Sequence, residues 1–465
     1  MNNQRNLVRT FGVGYVIIFV VANIIGSGVY KKIAPMAAEL HSVEWILLAW
    51  VAGGIITLFG ALSNAEVAGL LADTGGDFVY FKKIYNRFFA FLYGWSLFTV
   101  IQTATIASLA YVFAQSLNSI IPVPHVLQSM DGFTIAGVFA PFHDFGIKLT
   151  AILLIMLLTW LNMASLRSGA GTSKIILLLV AMGLLTIVVF GLTSHAGRPA
   201  AVAAAVGSAN GPVTLSAFFT AMLAAFWAYQ GWASVGFIGG EVKDANRNIP
   251  RGIVIGVFVV IGIYLVVNIT YLTLLSIPQL EQIHASGNQI AAIEAVRVFW
   301  GRGGVLFIST LILITTLGCT NASILTGARP TFAMAREGLF FTGIGKLNKA
   351  NVPSNSLLLQ GIWSSVLVMS GSFDQLTDML IFAVFIFYGA TSLGVIVLRR
   401  RMPDAPRPYK VWGYPFVPLF FILFCIGLFL NTIITKPREA VIGLILIGAG
   451  IPVYWFLQRR KRADV

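Results

Sequence analysis

Val21-Ala22-Asn23-Ile24-Ile25-Gly26-Ser27-Gly28-Val29-Tyr30 is an apolar run interrupted near its middle by a serine between two glycines. The apolar stretch around it, 11 to 35, is long enough to cross a hydrocarbon core of about 30 Å as a helix rising about 1.5 Å per residue. Each glycine costs a helix roughly 1 kcal/mol relative to alanine, so Gly26-Ser27-Gly28 invites local unwinding. Two readings stand side by side: a close helix contact across small residues, or unwound backbone that lines a binding site. Such backbone at membrane depth is tolerated only where it is buried in protein or faces a wet cavity.

Working outward, eleven further apolar stretches can be marked, at 43 to 70, 88 to 120, 147 to 163, 175 to 193, 213 to 240, 251 to 277, 304 to 330, 356 to 371, 379 to 398, 416 to 435 and 440 to 457. Of the 465 residues 57% are hydrophobic and only 10% charged, and the mean hydropathy is +0.86, which excludes a water-soluble single-core protein. The expectation is an all-α polytopic membrane protein with 12 transmembrane helices, and one membrane domain over 1–465. No cleavable signal peptide is expected, because the first apolar stretch is too long and no small-residue cleavage pattern follows it.

Twelve spans put both termini on one side. If that side is cytoplasmic, the inward segments collect 23 of the 31 basic residues. That asymmetry predicts cytoplasmic N- and C-termini by the positive-inside rule, in a plasma (inner) membrane. The net charge of +14 is thereby a topology signal, with anionic membrane lipid as the expected partner and no nucleic acid, since the basic residues are scattered over short loops. Both cysteines, Cys319 and Cys425, fall inside apolar stretches, so neither a disulfide framework nor a Cys-rich metal site is expected.

The sixth span carries a second break, Phe226-Trp227-Ala228-Tyr229-Gln230-Gly231-Trp232. Interrupted first helices in two successive five-helix blocks point to inverted repeats with a site near the midplane. The predicted blocks are 11–193 and 213–398, with 416–457 outside them.

Several short motifs, in order along the chain, then resemble one family. They are the Gly26-Ser27-Gly28-Val29 of the first span, Ala65-Glu66-Val67 with Thr74-Gly75-Gly76-Asp77 after the second, and Gly94-Trp95 in the third. Glu241-Val242-Lys243-Asp244-Ala245-Asn246-Arg247-Asn248-Ile249-Pro250, Ala333-Met334-Ala335-Arg336-Glu337-Gly338 and Pro403-Asp404-Ala405-Pro406-Arg407-Pro408-Tyr409-Lys410 follow. Together they resemble the amino acid-polyamine-organocation (APC) transporters, in particular the L-amino acid transporter branch and its bacterial relatives. The resemblance implies a five-plus-five inverted-repeat (LeuT-like) core with helices 1 and 6 broken, two peripheral helices, and secondary transport of an amino acid by alternating access.

The residues agree with that implication. Unwinding at 26 to 28 would free backbone amides at Gly26, Ser27 and Gly28 that, with the helix dipole, attract a carboxylate. Freed carbonyls at Ala22, Asn23 and Ile24, and at Phe226, Trp227 and Gln230 beside Ala228, could accept from an ammonium group. By resemblance, Trp227 stands at an aromatic gate; a packed core tryptophan is the other reading. The mid-membrane stretches of helices 1, 3, 6, 8 and 10 offer Gln102, Gln230 and Asn321 but no charge, which favours a neutral amino acid over acidic ones. Lys31 and Lys32, one turn outward, are read either as a preference for an acidic substrate or as snorkelling side chains.

Glu66 reads as the only carboxylate inside a span, either a coupling or gating acid or the partner of a loop arginine. The family's helix-5 lysine position falls at Val180, which puts lysine-based coupling in doubt. The cysteine that would bond a single-span heavy subunit is missing after helix 3, so no disulfide-linked partner is expected, and a monomer would suffice. No catalytic or metal-binding constellation and no cofactor site is legible, which argues against an enzyme, and a single pair of broken helices argues against a symmetric channel.

Overall fold

The computed structural model describes residues 11–71, 76–135, 138–164, 172–194, 212–233, 242–407 and 409–463. Thr74, Gly75, Glu241 and Pro408 of the motifs above lie outside them. The regular secondary structure of the described residues is all helical, apart from isolated bridges such as Phe11 with Val242.

The first apolar stretch becomes three helices, α1 (Val13–Ile24), α2 (Gly28–Lys31) and α3 (Ile33–Leu40). Then come α4 (Val43–Leu70), the short α5 (Gly76–Ile84), and α6 (Arg87–Ser96), which runs through a π-turn at Leu97–Ile101 into α7 (Gln102–Ile120). α8 (Phe145–Ala164) and α9 (Thr172–Thr193) complete the first half. The second half holds α10 (Leu215–Tyr229), α11 (Ala245–Leu274), the peripheral α12 (Ile277–Ser286) and the long α13 (Ala291–Arg336). α14 (Ser354–Ser370), α15 (Phe373–Arg401), α16 (Phe416–Thr435), α17 (Pro437–Gly448) and α18 (Gly450–Ala463) follow.

Among the described residues eight helices or joined helix pairs are long and apolar enough to cross a membrane, and three shorter apolar helices, Val13–Ile24, Leu178–Thr193 and Leu215–Tyr229, coincide with the expected spans 1, 5 and 6. Large apolar side chains such as Leu153, Trp160, Leu178, Phe416 and Ile434 stand exposed on the outside of the bundle, as a lipid-facing surface requires. The protein is therefore an all-α multi-pass membrane protein.

Two boundaries differ from expectation for identifiable reasons. α15 begins at Phe373, six residues before the expected start, because Ser372 and Gln375 form a capping box that satisfies the first turn. This brings Asp374 and Asp378 onto a spanning helix, so Glu66 is not the only carboxylate on one. α13 extends outward past the expected 304, and Gly301 (φ 60°, ψ −145°) breaks its regular path there.

Helix contacts are set by small residues. A Cβ at Gly252 or Gly256 of α11 would come within 2.4 Å of Val16 and 2.7 Å of Val20 respectively, so these glycines let α11 lie against α1. Gly54 of α4 admits Ile261 of α11 in the same way. The first helix is thus held by close backbone contacts up to its interruption.

Candidate binding site at two helix breaks

The α-helical path of the first span stops at Ile25, whose ψ of 108° is extended, and resumes at Gly28. The observed gap is Ile25–Ser27, one residue earlier than the expected 26 to 28. Among the described residues the backbone N–H groups of Gly26, Ser27, Gly28 and Val29 find no backbone acceptor. The Ser27 hydroxyl is buried and has no hydrogen-bond partner. Unpaired donors in a protein interior are costly, so a cluster of them facing one gap is a place prepared for an acceptor.

α10 ends at Tyr229, Gln230 is extended (ψ 141°) and Gly231 takes φ 124°. That positive φ favours glycine, and a Cβ there would lie 2.1 Å from the Asn23 carbonyl oxygen. Gly28 is equally tight: its Cβ would lie 2.5 Å from the Ala228 Cα. The two interruptions are therefore built against each other, each glycine giving room to the other helix's backbone. The readings of Gly26-Ser27-Gly28 as a packing contact and as unwound backbone are both realised, on different residues.

Not every expected carbonyl is free. Tyr264 of α11, which sequence reasoning missed, donates its hydroxyl toward the carbonyls of Ala228 (2.7 Å) and Ile24 (3.3 Å). The Trp227 carbonyl accepts from the Gln230 N–H at 3.3 Å, which leaves the Phe226 carbonyl without its normal Gln230 donor. Ala22 is half-buried and Asn23 exposed, with the Asn23 amide turned back onto the Phe19 carbonyl. The gap is thus most accessible from its α1 side, next to Asn23.

The opposite side is closed. Trp227 is 7% exposed and meets the edge of Phe373 at 6.0 Å between ring centroids. Beyond it, Lys32 is fully buried and bonds Asp374 (2.7 Å) and Thr377 (2.6 Å), while Lys31 bonds the Gln115 side chain (2.8 Å) and the Gly287 carbonyl (3.3 Å). Both ammonium groups lie 4.7 Å from the Phe373 ring centre. This corrects the snorkelling expectation: neither lysine reaches outward, because a carboxylate and polar acceptors from α15, α7 and the loop after α12 lie within the bundle.

The remaining candidates divide. Gln230 donates to the Tyr388 hydroxyl at 2.9 Å, which draws its side chain toward α15. Phe226 packs its ring on Phe385 and Phe424. Gln102, just after the π-turn, donates to the Ser323 carbonyl (3.0 Å), and Asn321 accepts from Asn162 (2.6 Å), so both tie α13 to neighbouring helices and neither hydrogen-bonds to either break. Val180 offers its carbonyl to the Tyr30 hydroxyl at 3.4 Å and its side chain to an aliphatic wall shared with Val21 and Ile25. Glu66 is far from these groups in role: Arg399 grips it with two bonds (2.9 and 2.8 Å), the Val411 N–H donates to it at 2.6 Å, and Arg407 stands at 3.5 Å. It pairs with arginines, the second of its two readings, and joins the end of α4 to the α15–α16 connection.

Comparison with known proteins supplies what geometry leaves open. The sequence profile of the family described as "Amino acid permease" matches residues 11–456. The chain is 28% identical over 467 residues to the serine/threonine exchanger SteT of Bacillus subtilis (strain 168), covering 99% of this chain and 100% of that protein. It is 29% identical over 444 residues to the large neutral amino acids transporter small subunit 2 of Mus musculus, covering 94% of this chain and 78% of that one. It is 27% identical over 448 residues to the b(0,+)-type amino acid transporter 1 of Mus musculus, covering 95% and 86%. The chain belongs to the amino acid permease family of the APC superfamily, and is a secondary transporter of amino acids rather than an enzyme.

Proposed function

We propose that the protein moves neutral L-amino acids by alternating access, with the substrate bridging the two helix breaks. The observation that carries this reading is the group of unclaimed donors at the first break, the amides of Gly26, Ser27, Gly28 and Val29 with the orphaned Ser27 hydroxyl. A carboxylate placed there would accept from amides at the start of a helix, where the backbone dipole favours negative charge. The ammonium would face the carbonyls of Ala22, Asn23 and Phe226, with Gln230 at the edge; Ile24 and Ala228 already receive Tyr264.

A neutral side chain fits the partner inventory. The two lysines near the site are held by Asp374, Gln115 and Gly287, so neither is left to compensate a second substrate carboxylate. The names of the relatives, a serine/threonine exchanger and a large neutral amino acid transporter, support the same class and favour exchange. Val180 at the helix-5 position offers no ammonium for coupling, and Glu66 is a structural anchor for the loop after α15. Trp227 acts as the lid beneath Phe373, and Gln102 and Asn321 fix the helices behind the pocket.

The arrangement fits a LeuT-like core of twelve spans, with inverted repeats 11–193 and 213–398 and peripheral helices at 416–457. It also fits cytoplasmic termini in a plasma membrane, with neither a disulfide-linked heavy subunit nor a cofactor. Counterflow into proteoliposomes loaded with one amino acid at a time tests the class. Serine, threonine, alanine and leucine should drive uptake better than glutamate or arginine; a preference for glutamate would overturn the neutral assignment.

A further inference from the structure

An aliphatic groove of about 500 Å³ opens on the side of the bundle between α1, α9 and α11. Its floor includes Val21 and Ile25, the residues that lead into the first break, and its walls run along Val180–Val188 and Val259–Val267. Nothing in the lining supplies a side-chain hydrogen bond, so water entering it would lack the polar partners that hold buried water.

The groove borders a glycine that packs against nothing. On α11, Gly252 and Gly256 are filled by α1, yet a Cβ at Gly262 would meet no atom within 4 Å. A glycine that packs against nothing gives up helix stability of about 1 kcal/mol relative to alanine, and its effect here is to leave space among the described residues. The mouth is continuous with the lipid-facing surface, because Leu185, Val259 and Val266 line it and are themselves 64%, 41% and 43% exposed. Along each wall the lining rises about 12 Å over eight residues. That is close to the depth of one leaflet, about 15 Å of a ~30 Å core.

We infer that this groove is a binding site for one lipid acyl chain, seated against the inner half of the first helix. An occupant in contact with Val21 and Ile25 is sensitive to any movement of that half-helix, so its binding is coupled to the conformational cycle, and the coupling is reciprocal. The coupling, unlike the site, rests on the alternating-access reading.

The test uses the full chain in nanodiscs containing a phosphatidylcholine with a diazirine midway along one acyl chain, irradiated and mapped by mass spectrometry. The groove walls at 180–188 and 259–267 should be labelled at least about five-fold more than the lipid-facing Leu153, Leu157 and Trp160 of α8, an excess equivalent to a modest site preference. Gly262→Phe, and separately Ala181→Leu, should remove that excess while leaving α8 labelling and the melting temperature near wild type. Labelling at the level of α8, or an excess that survives both substitutions in folded protein, overturns the site. Saturating amino acid should change the groove labelling by at least about two-fold, and unchanged labelling overturns the coupling alone. Because labelling is read without transport, failure of the site is distinguishable from failure of the proposed substrate class, which counterflow reads separately.

Discussion

Substituting valine at Gly26 and at Gly28 separates binding from folding at two positions only two residues apart. An ideal Cβ at Gly28 would sit 2.5 Å from the Cα and 2.7 Å from the Cβ of Ala228. Ordinary carbon contacts lie near 3.5–4.0 Å, so the two breaks would have to part by roughly 1 Å. Neither atom can swing away by a rotamer change, and such overpacking typically costs about 1–3 kcal/mol. In a chain of 465 residues, whose unfolding entropy is about 1 kcal/mol/K, that corresponds to a loss of about 1–3 °C in melting temperature. At Gly26 the nearest atom to an added Cβ is the Ile24 carbonyl oxygen at 4.0 Å, so the fold does not oppose a side chain. The new isopropyl group would instead stand over the unclaimed amides. Denying a carboxylate two charge-assisted bonds of about 1.5–3 kcal/mol each weakens binding at least about 100-fold. The assay is thermal unfolding in detergent with and without saturating substrate, alongside calorimetric binding. Gly26→Val should melt within about 0.5 °C of wild type and show no substrate-induced stabilisation, whereas Gly28→Val should melt about 1–3 °C lower and also fail to bind. Wild-type affinity in Gly26→Val, or wild-type stability in Gly28→Val, would refute the reasoning.

Three further outcomes follow from other contacts. Trp227→Phe should keep most transport and Trp227→Ala lose most of it at comparable amounts of folded protein; normal transport per folded molecule in the alanine variant would make this ring packing rather than a lid. Glu66→Gln should destabilise by up to about 3 kcal/mol, since it leaves Arg399 and Arg407 without their carboxylate, while Arg399 keeps its place over the Tyr414 ring; unchanged melting would show the cluster to be inert. Burial pushes the Asp77 carboxyl up to about 6, against the opposing hydrogen bonds from Asn64 and Tyr93. The folded state then keeps a proton that the unfolded state loses from about pH 4, so stability falls as pH rises through about 4 to 6. Asp77→Asn should match wild type below pH 4 and exceed it by about 1–3 kcal/mol at pH 7; equal melting curves at both pH values would contradict the assignment.

Much of this site was legible because it is made of backbone. Gly26-Ser27-Gly28 and Gln230-Gly231 announce interruptions by their own chemistry, and the hydropathy of the flanking runs places them near mid-span. What occupies the freed groups was not legible. Tyr264 lies 240 residues from the Ile24 carbonyl it reaches, and nothing in a run of tyrosine among aliphatics marks that destination. Lys32 finds Asp374 across 342 residues, and the expected helix boundary at 379 had excluded that carboxylate because its first turn is polar. A lysine near a helix end looks the same in sequence whether its partner is solvent or a carboxylate across the bundle. Gln102 and Asn321 were singled out as polar, mid-membrane substrate ligands; both are half-buried, and the partners they find are α13 backbone and α8.

The central claim is that one substrate carboxylate and one ammonium are held by the two broken helices. Competition for binding of a transported neutral amino acid by its own carboxamide, and by the carboxylic acid lacking the amino group, tests it most directly. Each analogue removes one charged handle without changing the side chain or the charge of the other handle. The account predicts that both compete at least about 100-fold more weakly than the parent amino acid, because each loses a set of charge-assisted bonds to fixed backbone groups. If the carboxamide competes as well as the parent, the carboxylate is not bound at Gly26–Val29; if the deaminated acid does, the ammonium is not held by the carbonyls of the two breaks, and in either case the claim fails.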